Sequence, residues 1–202
     1  MQLEFFDRRI GVADYIQNYR DQERFIEYCK VCENYGVCHA CPPFDFDTGA
    51  VIKDYSNLYL LAEKMILTPQ EKKALSKEKD ISRSELYANV RRVTDYFLLA
   101  FEEEYPGSRG FFAGTCYFCN TCEKKFGRPC RHPEKMRSSL ESYGFDIGKT
   151  CTELFGIELQ WGEGNVPDYF VLVSGFFSTV EISSLAENAA RVFRILDRLQ
   201  TA

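Results

Sequence analysis

Four closely spaced cysteines in the second half of the chain are the residues best suited to chemistry. They are Cys116, Cys119, Cys122 and Cys130. Two successive C-x-x-C steps bring three thiolates to one side of a tight loop, and a cuboidal [4Fe–4S] cluster needs four thiolate ligands. Structural zinc sites usually divide their ligands into two pairs separated by a longer loop. The spacing therefore predicts a [4Fe–4S] cluster on these four cysteines, with zinc as the second choice.

A second cysteine group lies nearer the start of the chain, with the pattern C-x2-C-x5-C-x2-C. Its members are Cys29, Cys32, Cys38 and Cys41. Two knuckle-like pairs suit a tetrahedral zinc ion, whereas the Cys41-Pro42 ending is typical of a ferredoxin ligand. The pattern predicts a second metal site that holds either zinc or a second [4Fe–4S] cluster, and the proline slightly favours the cluster.

The region from Cys116 to Arg137 is basic, although the whole chain has a formal net charge of −5. Its basic residues are Lys124, Lys125, Arg128, Arg131, Lys135 and Arg137, against the acidic Glu123 and Glu134. Part of this excess would compensate an anionic cluster, and part could attract an acidic protein or a small anion near Arg128 and Arg131. A solvated charged surface is the plainer interpretation of any one of these residues.

Bulk composition narrows the class of protein. With 202 residues, of which 45% are hydrophobic, the chain fits a single domain, 1–202, into which a cysteine-rich segment, 29–43, and a cluster loop, 114–133, are inserted. No apolar run approaches the roughly 20 residues of a membrane span, and the first residues do not resemble a signal peptide. We therefore expect a cytoplasmic protein, whose nine cysteines are metal ligands rather than disulfide partners. A pI near 5.2 argues against nucleic-acid binding.

The elements that must position the cysteines follow an α/β (or α+β) pattern. Apolar runs predict strands at 57–67, 109–115 and 168–177, and a capping box at Ser82 opens a helix over 83–104. Strand, helix and strand form a βαβ unit, so the first two strands should run parallel in one small mixed sheet of three to four strands. The cluster loop should then follow directly from the strand at 109–115.

The remaining segments are interpreted more simply. We expect a short lead and then helix over 1–28, a surface connection over 68–79, a helix from Pro133 to Leu140, a short helix over 147–155, and a final helix capped by Ser184. Cys151 has no neighbouring cysteine and is interpreted as a small buried hydrophobe. His39 and His132 are the two histidines of the chain, and both lie in cysteine loops, which makes Ser-His-Asp hydrolase chemistry a poor candidate.

Taken together, the two cysteine groups resemble a family of anaerobic bacteria and archaea described as predicted metal-binding proteins. The first motif, C-x2-C-x2-Y-G-x4-C-P-P, is matched by Cys29, Cys32, Tyr35, Gly36, Cys41, Pro42 and Pro43. The second motif is matched by Gly114, Cys116, Cys119, Cys122, Cys130, Arg131 and Pro133, and then by Ser139, Glu141 and Gly144. Cys38 and Cys151 fall outside both motifs. The resemblance spans roughly residues 14–176 and implies metal binding in anaerobic redox metabolism, without naming a reaction.

Three functional hypotheses follow. The first is an iron–sulfur protein that transfers electrons to or from a redox partner protein. The second is an iron–sulfur-dependent reductase that acts on a small anionic substrate or cofactor near Arg128 and Arg131. The third is a zinc-binding structural or regulatory module. Neither nucleic acid nor a membrane is an expected partner.

Overall fold

A four-stranded sheet forms the centre of the computed structural model, which describes residues 1–77, 85–160 and 166–200. Its strands are β1 (Gln2–Gly11), β2 (Asn57–Ile66), β3 (Arg109–Phe111) and β4 (Tyr169–Ser178). The strand order is β1-β2-β4-β3, and each neighbouring pair is antiparallel. The central strands β2 and β4 are buried along most of their length, which explains why both read as continuous apolar runs.

Helices cover both faces of this sheet. In the described ranges they are α1 (Val12–Tyr19), α2 (Gln22–Lys30), α3 (Thr48–Ile52), α4 (Pro69–Leu75), α5 (Glu85–Glu104), α6 (Ile147–Thr150) and α7 (Leu185–Gln200). Leu58, Leu60 and Ala62 of β2 pack on the face shared with α1 and α6. Tyr59 and Leu61 point to the opposite face, against α5 and α7. This alternation produces a core on each side of the sheet.

The predicted fold class and strand number are confirmed. β2 and β3 run in the same direction in one sheet, as predicted for 57–67 and 109–115, because both are antiparallel to β4. They are not neighbours, however, since β4 lies between them. The three pairings between these four strands are therefore all antiparallel, unlike those of the expected mixed sheet.

β3 is also shorter than the predicted strand at 109–115. It ends at Phe111, after which the Phe112 amide donates to the carbonyl of Ser138 (3.0 Å) and a bridge joins Phe112 to Ser139. The helix expected from Pro133 to Leu140 is absent from the described structure. Residues 133–135 form a turn, and Ser138 and Ser139 then pair with Phe112 in the chain that leads into the cluster loop. The prediction of a helix there was wrong.

Two further segments differ from the prediction: the start of the chain and the connection that follows β2. The expected lead at the start of the chain is instead the edge strand β1. The expected connection over 68–79 contains α4, which begins with a capping box between Thr68 and Glu71.

The capping box predicted at Ser82 lies outside the described residues. The final helix begins as predicted, with the Ser184 hydroxyl accepting the Glu187 amide at 3.1 Å.

Candidate metal centre

The cluster loop starts where the backbone leaves β3 and reverses at Gly114. Gly114 has φ +84°, and an added Cβ would lie 3.6 Å from Nη1 of Arg91 on α5. The guanidinium of Arg91 in turn donates from Nη2 to the carbonyl oxygen of Thr115, at 2.6 Å. The long helix thus fixes the first residues of the loop through a buried side chain rather than through sheet pairing.

The four cysteines predicted for the first cluster line one small enclosed cavity of about 20 Å³. The cavity walls are Cys38, His39, Ala40, Cys116, Phe118, Cys119, Cys122, Cys130, His132 and Met136. Two sulfurs accept backbone hydrogen bonds: the His39 amide donates to Cys122 Sγ and the His132 amide donates to Cys130 Sγ, both at 3.4 Å. N–H donors of this kind stabilise thiolates and help to set the potential of iron–sulfur clusters.

Burial keeps two of these thiols protonated in the absence of a cation. It raises the pKa of Cys116 to about 12, and it also raises the pKa of Cys130. A bound metal reverses this balance, because it favours the thiolate and releases the proton. The chemistry of the pocket therefore suits thiols that become ligands only when a metal is supplied.

Cys38 does not lie with Cys29 and Cys32. It is 4% exposed and lines the enclosed cavity together with the cluster-loop cysteines. The hydroxyl of Thr115 lies 3.4 Å from the sulfurs of both Cys38 and Cys41. A hydrogen bond from the Cys41 thiol lowers the pKa of Cys38, and the same pairing raises the pKa of Cys41. The two cysteine groups are therefore in direct contact at this point.

The other N-terminal cysteines face a different space. Cys29, Cys32 and Cys41 line an open cavity of about 940 Å³, and Cys32 is exposed. The predicted reversal at Tyr35-Gly36 is present: Gly36 has φ +72° and its amide donates to the carbonyl of Pro42 at 2.8 Å. The segment folds back as expected. Cys29, Cys32 and Cys41 line this cavity and Cys38 lines the smaller one, although the side chains of Cys38 and Cys41 are paired.

The cysteine thiols can be compared with the requirements of zinc and of a [4Fe–4S] cluster, the two alternatives that the sequence suggested. Among the described residues, no three cysteine, histidine or acidic side chains converge tightly enough to hold one ion. Zinc at its usual Zn–S distance would hold thiolates about 3.8 Å apart. A cuboidal cluster binds each thiolate through a different iron, so its ligands lie farther apart. Four cysteine thiols match a tetrahedral zinc site and a cuboidal cluster equally in number and kind.

The basic residues of the cluster loop are largely engaged in holding it together. Glu123, 5% exposed, lies in a short 3-10 helix (Glu123–Phe126) and pairs with both Arg128 and Arg131. Lys124 donates to the carbonyl oxygen of Cys41 at 3.2 Å and so connects the loop to the N-terminal segment. Arg128 and Arg131 thus share a buried carboxylate, which makes them weaker candidates for an anion site than the sequence suggested.

The comparisons with known proteins agree with a metal-binding role. A family model described as predicted metal-binding protein (DUF2284) matches residues 15–174. The chain belongs to this family. The matched range contains both cysteine groups, α5 and most of β4, whereas α7 lies beyond it. No curated protein and no solved structure matches the chain. In the described ranges, no helix combines the length and apolar character needed to cross a membrane.

A buried charged group on α5 was missed in the sequence. Arg91 and Asp95 are 2% and 4% exposed, and Glu63 of β2 is fully buried beside them. The Thr94 hydroxyl donates to Glu63 at 2.6 Å, while burial raises the pKa of Glu63 to about 8 and that of Asp95 to about 7. The sequence did contain a sign of this buried group, because Glu63 interrupts an apolar strand. Arg91 and Asp95 are also one turn apart, next to apolar positions of the helix.

Proposed function

We propose that the protein is an iron–sulfur protein that transfers electrons in anaerobic redox metabolism. In this proposal Cys116, Cys119, Cys122 and Cys130 hold a [4Fe–4S] cluster. The observation that carries it is the enclosed cavity, since all four thiols line it and two of them already accept backbone N–H bonds. When bound, the cluster would supply one-electron chemistry.

The chain's own groups would tune this site. The amides of His39 and His132 would stabilise negative charge on the sulfurs and thereby favour the reduced state. Phe118 and Met136 line the cavity and limit contact of the sulfurs with water. Arg91 holds the start of the loop through Thr115, so that the thiols remain in place whether the site is oxidised or reduced.

The proposal extends to a second metal site at Cys29, Cys32 and Cys41, which would hold zinc or a second [4Fe–4S] cluster. Cys38 is assigned to the wall between the two sites instead of to the second site, because it lines the enclosed cavity. The contacts of Thr115 with Cys38 and Cys41 support a short path between the sites.

A redox partner protein would dock on the exposed side of the cluster loop. Phe126 is 57% exposed there, and the side chains around it in the chain are basic and exposed: Lys125, Arg128, Arg131 and Lys135. An apolar centre with a positive rim suits an acidic partner surface, which would steer the encounter. The nine free cysteines require a reducing compartment, and we place the protein in the cytoplasm on this ground.

Metal analysis after anaerobic purification tests the proposal. We expect about four iron and four sulfide per chain for one cluster, or twice that for two, with a broad visible absorption that bleaches on reduction by dithionite. Zinc without sulfide would overturn the proposal and favour the zinc module. A reduced protein that passes electrons to an acidic acceptor protein would support the carrier role, and one that turns over a small molecule unaided would support the reductase.

The reductase remains the second candidate because of the cavity of about 940 Å³ beside the N-terminal cysteines. An electron carrier has no need of a space of this size.

A further inference from the structure

The open cavity is larger than a metal site requires. Its volume of about 940 Å³ lies within the range of small-molecule sites, about 300–1,000 Å³. The cysteines occupy one wall, while the remaining lining is mainly apolar and aromatic, including Tyr28, Tyr87, Tyr117, Phe170 and Leu172. A space of this size with apolar walls and a few polar groups is the usual form of a binding pocket for an organic ligand.

Arg91 supplies the cation of this pocket. Its side chain lines the cavity and is 2% exposed, and its guanidinium lies 4.2 Å from the centre of the Tyr117 ring. Nη2 donates to the Thr115 carbonyl, but Nε is buried and has no hydrogen-bond acceptor among the described residues. A buried charged donor without an acceptor is costly, so the free N–H indicates a place for an acceptor that is not part of the chain.

Glu141 is a second polar residue of the lining with one unpartnered atom, although its carboxyl group also interacts with Ser139 and Arg91. It also lines the cavity, and its Oε2 is buried with no hydrogen-bond donor in the described residues. The other carboxyls near Arg91 are Glu63 and Asp95, which lie in the interior between β2 and α5 and do not line the cavity. Arg91 thus lines the pocket as a positive group, and Glu141 is an acidic residue of the same lining that interacts with it electrostatically.

Other cations are less suitable. Arg24 also lines the cavity, but its side chain is 58% exposed and pairs with Asp146. Arg128 and Arg131 both pair with Glu123 on the far side of the cluster loop. Of these candidates, Arg91 alone is buried, lines the cavity and keeps a free donor.

We propose that this cavity binds a small aromatic carboxylic acid, with its carboxylate on Arg91 and its ring against Tyr87, Tyr117 and Phe170. The inference deepens the reductase candidate by naming its substrate class. Binding itself depends only on the pocket, so it can be tested separately from the presence of iron.

Isothermal titration calorimetry on the anaerobically purified full chain tests the proposal. The probes are benzoate, phenylacetate and 3-phenylpropionate, whose three lengths vary the distance from carboxylate to ring, together with the uncharged amide of each acid. We expect at least one acid to bind with a Kd below about 1 mM and at least tenfold more tightly than its amide. Arg91→Met should weaken that acid at least tenfold.

Arg92→Met is the matched control. Arg92 is the next residue of α5 but is exposed and bonds to Ala88 and Asn89, so this variant should bind the acid as the wild type does. If Arg91→Met does not fold, as judged by circular dichroism, the comparison of acid with amide on the wild-type protein decides. Absence of binding by all three acids, equal binding of acid and amide, or full binding by a folded Arg91→Met would overturn the proposal.

Iron and sulfide measured on the same samples separate the two hypotheses. A protein that holds iron but binds no acid contradicts the pocket alone. A protein that binds the acid through Arg91 but contains no iron contradicts the iron–sulfur function and leaves the pocket in place.

Discussion

The cluster loop and the N-terminal cysteine segment use the same ligand type in opposite settings. Four thiols of the loop line a cavity of about 20 Å³ and are shielded by Phe118 and Met136. Three thiols of the N-terminal segment line an open cavity of about 940 Å³, where Cys32 is exposed. The two cavities therefore differ chiefly in volume, and only the larger one has room for a small molecule beside the thiols.

The two regions are also supported differently. The loop is held from several sides, by Arg91 beneath it and by the pairing of Glu123 with Arg128 and Arg131. The N-terminal segment is attached to the loop through Lys124, the sulfur contacts of Thr115 and the bonds of His39 to Cys122 and Arg128. The segment therefore depends on the loop for its position, and damage to the loop should affect both sites.

The largest expected effect comes from removing a ligand of the enclosed cavity. Cys119→Ala should abolish the visible absorption of the first cluster or convert it to a three-iron form, because one corner loses its thiolate. Iron, sulfide and electron paramagnetic resonance provide the measurement. Cys151→Ala is the control, since Cys151 lies in the core behind the sheet and should leave the metal content unchanged. Unaltered iron and sulfide in Cys119→Ala would refute the assignment.

A smaller loss is expected at the open site. Cys32→Ser should lower the metal content by one site and leave the spectrum of the first cluster intact, because Cys32 does not line the enclosed cavity. Metal analysis by mass spectrometry checks the number. If the variant keeps the full metal content and the same stability, the N-terminal cysteines are ordinary thiols and the two regions differ more than we propose.

Cys38→Ser sharpens the boundary between the regions. Because Cys38 lines the enclosed cavity and contacts Cys41 across Thr115, we expect a shift in the spectrum of the first cluster without loss of metal from the second site. Cys41→Ser, on the other side of Thr115, should instead lower metal at the second site. Loss of metal from the second site in Cys38→Ser would mean that Cys38 is a ligand of that site, as the sequence pattern predicted.

The buried carboxyl of Glu63 makes stability depend on pH. Burial raises its pKa in the folded protein to about 8, so the folded state holds this proton more tightly than the unfolded state. The stabilisation is complete below the unfolded pKa of about 4.5 and is lost as pH rises through about 8. Between pH 5 and 8 the wild type should lose roughly 3–4 kcal/mol of unfolding free energy through this group. Glu63→Gln should not show this loss when its stability is measured by denaturant unfolding. Glu103→Gln on the exposed side of α5 should follow the wild type; a variant at Glu63 that does so too would contradict the prediction.

The smallest effect is expected for the ion pairs of the loop. Glu123→Gln should lower the free energy of unfolding by about 1–2 kcal/mol, since both arginine partners are more than half exposed and solvent screens them. Thermal unfolding should show a fall in Tm of roughly 2–8 °C. Glu134→Gln, at an exposed position of the same region, serves as the control. An unchanged Tm would mean that Glu123 does not stabilise the loop.

The local parts of the cysteine segments could be predicted from the sequence. Spacing identified both groups, and Gly36 marked the reversal between the N-terminal pairs. The transfer of Cys38 to the cavity of the other group could not be predicted, because its contact with Thr115 joins residues 77 positions apart. Cysteine spacing also could not show which group lines the smaller cavity and which lines the larger one, because both cavities are formed by residues far apart in the chain.

The fold shows the same limit. β2, α5 and β4 are long and strongly patterned, and they were predicted to within a few residues. β1 was missed because charged residues such as Asp7, Arg8 and Arg9 break its alternation at the sheet edge, where solvent tolerates them. α4 could have been found from its capping box at Thr68 and Glu71. The insertion of β4 between β2 and β3 is a long-range pairing, which no local pattern of residues encodes.

The strand order has a consequence for biosynthesis. β3, which leads into the cluster loop, is hydrogen-bonded in the sheet to β4, and β4 begins at Tyr169, so it is synthesised after the whole cluster loop. The nascent loop therefore has no sheet to support it while the following residues are still being added. Delivery of metal by a cellular donor should await a nearly complete polypeptide, and a chain truncated before β4 should carry all four cysteines of the cluster loop without the strand that pairs with β3.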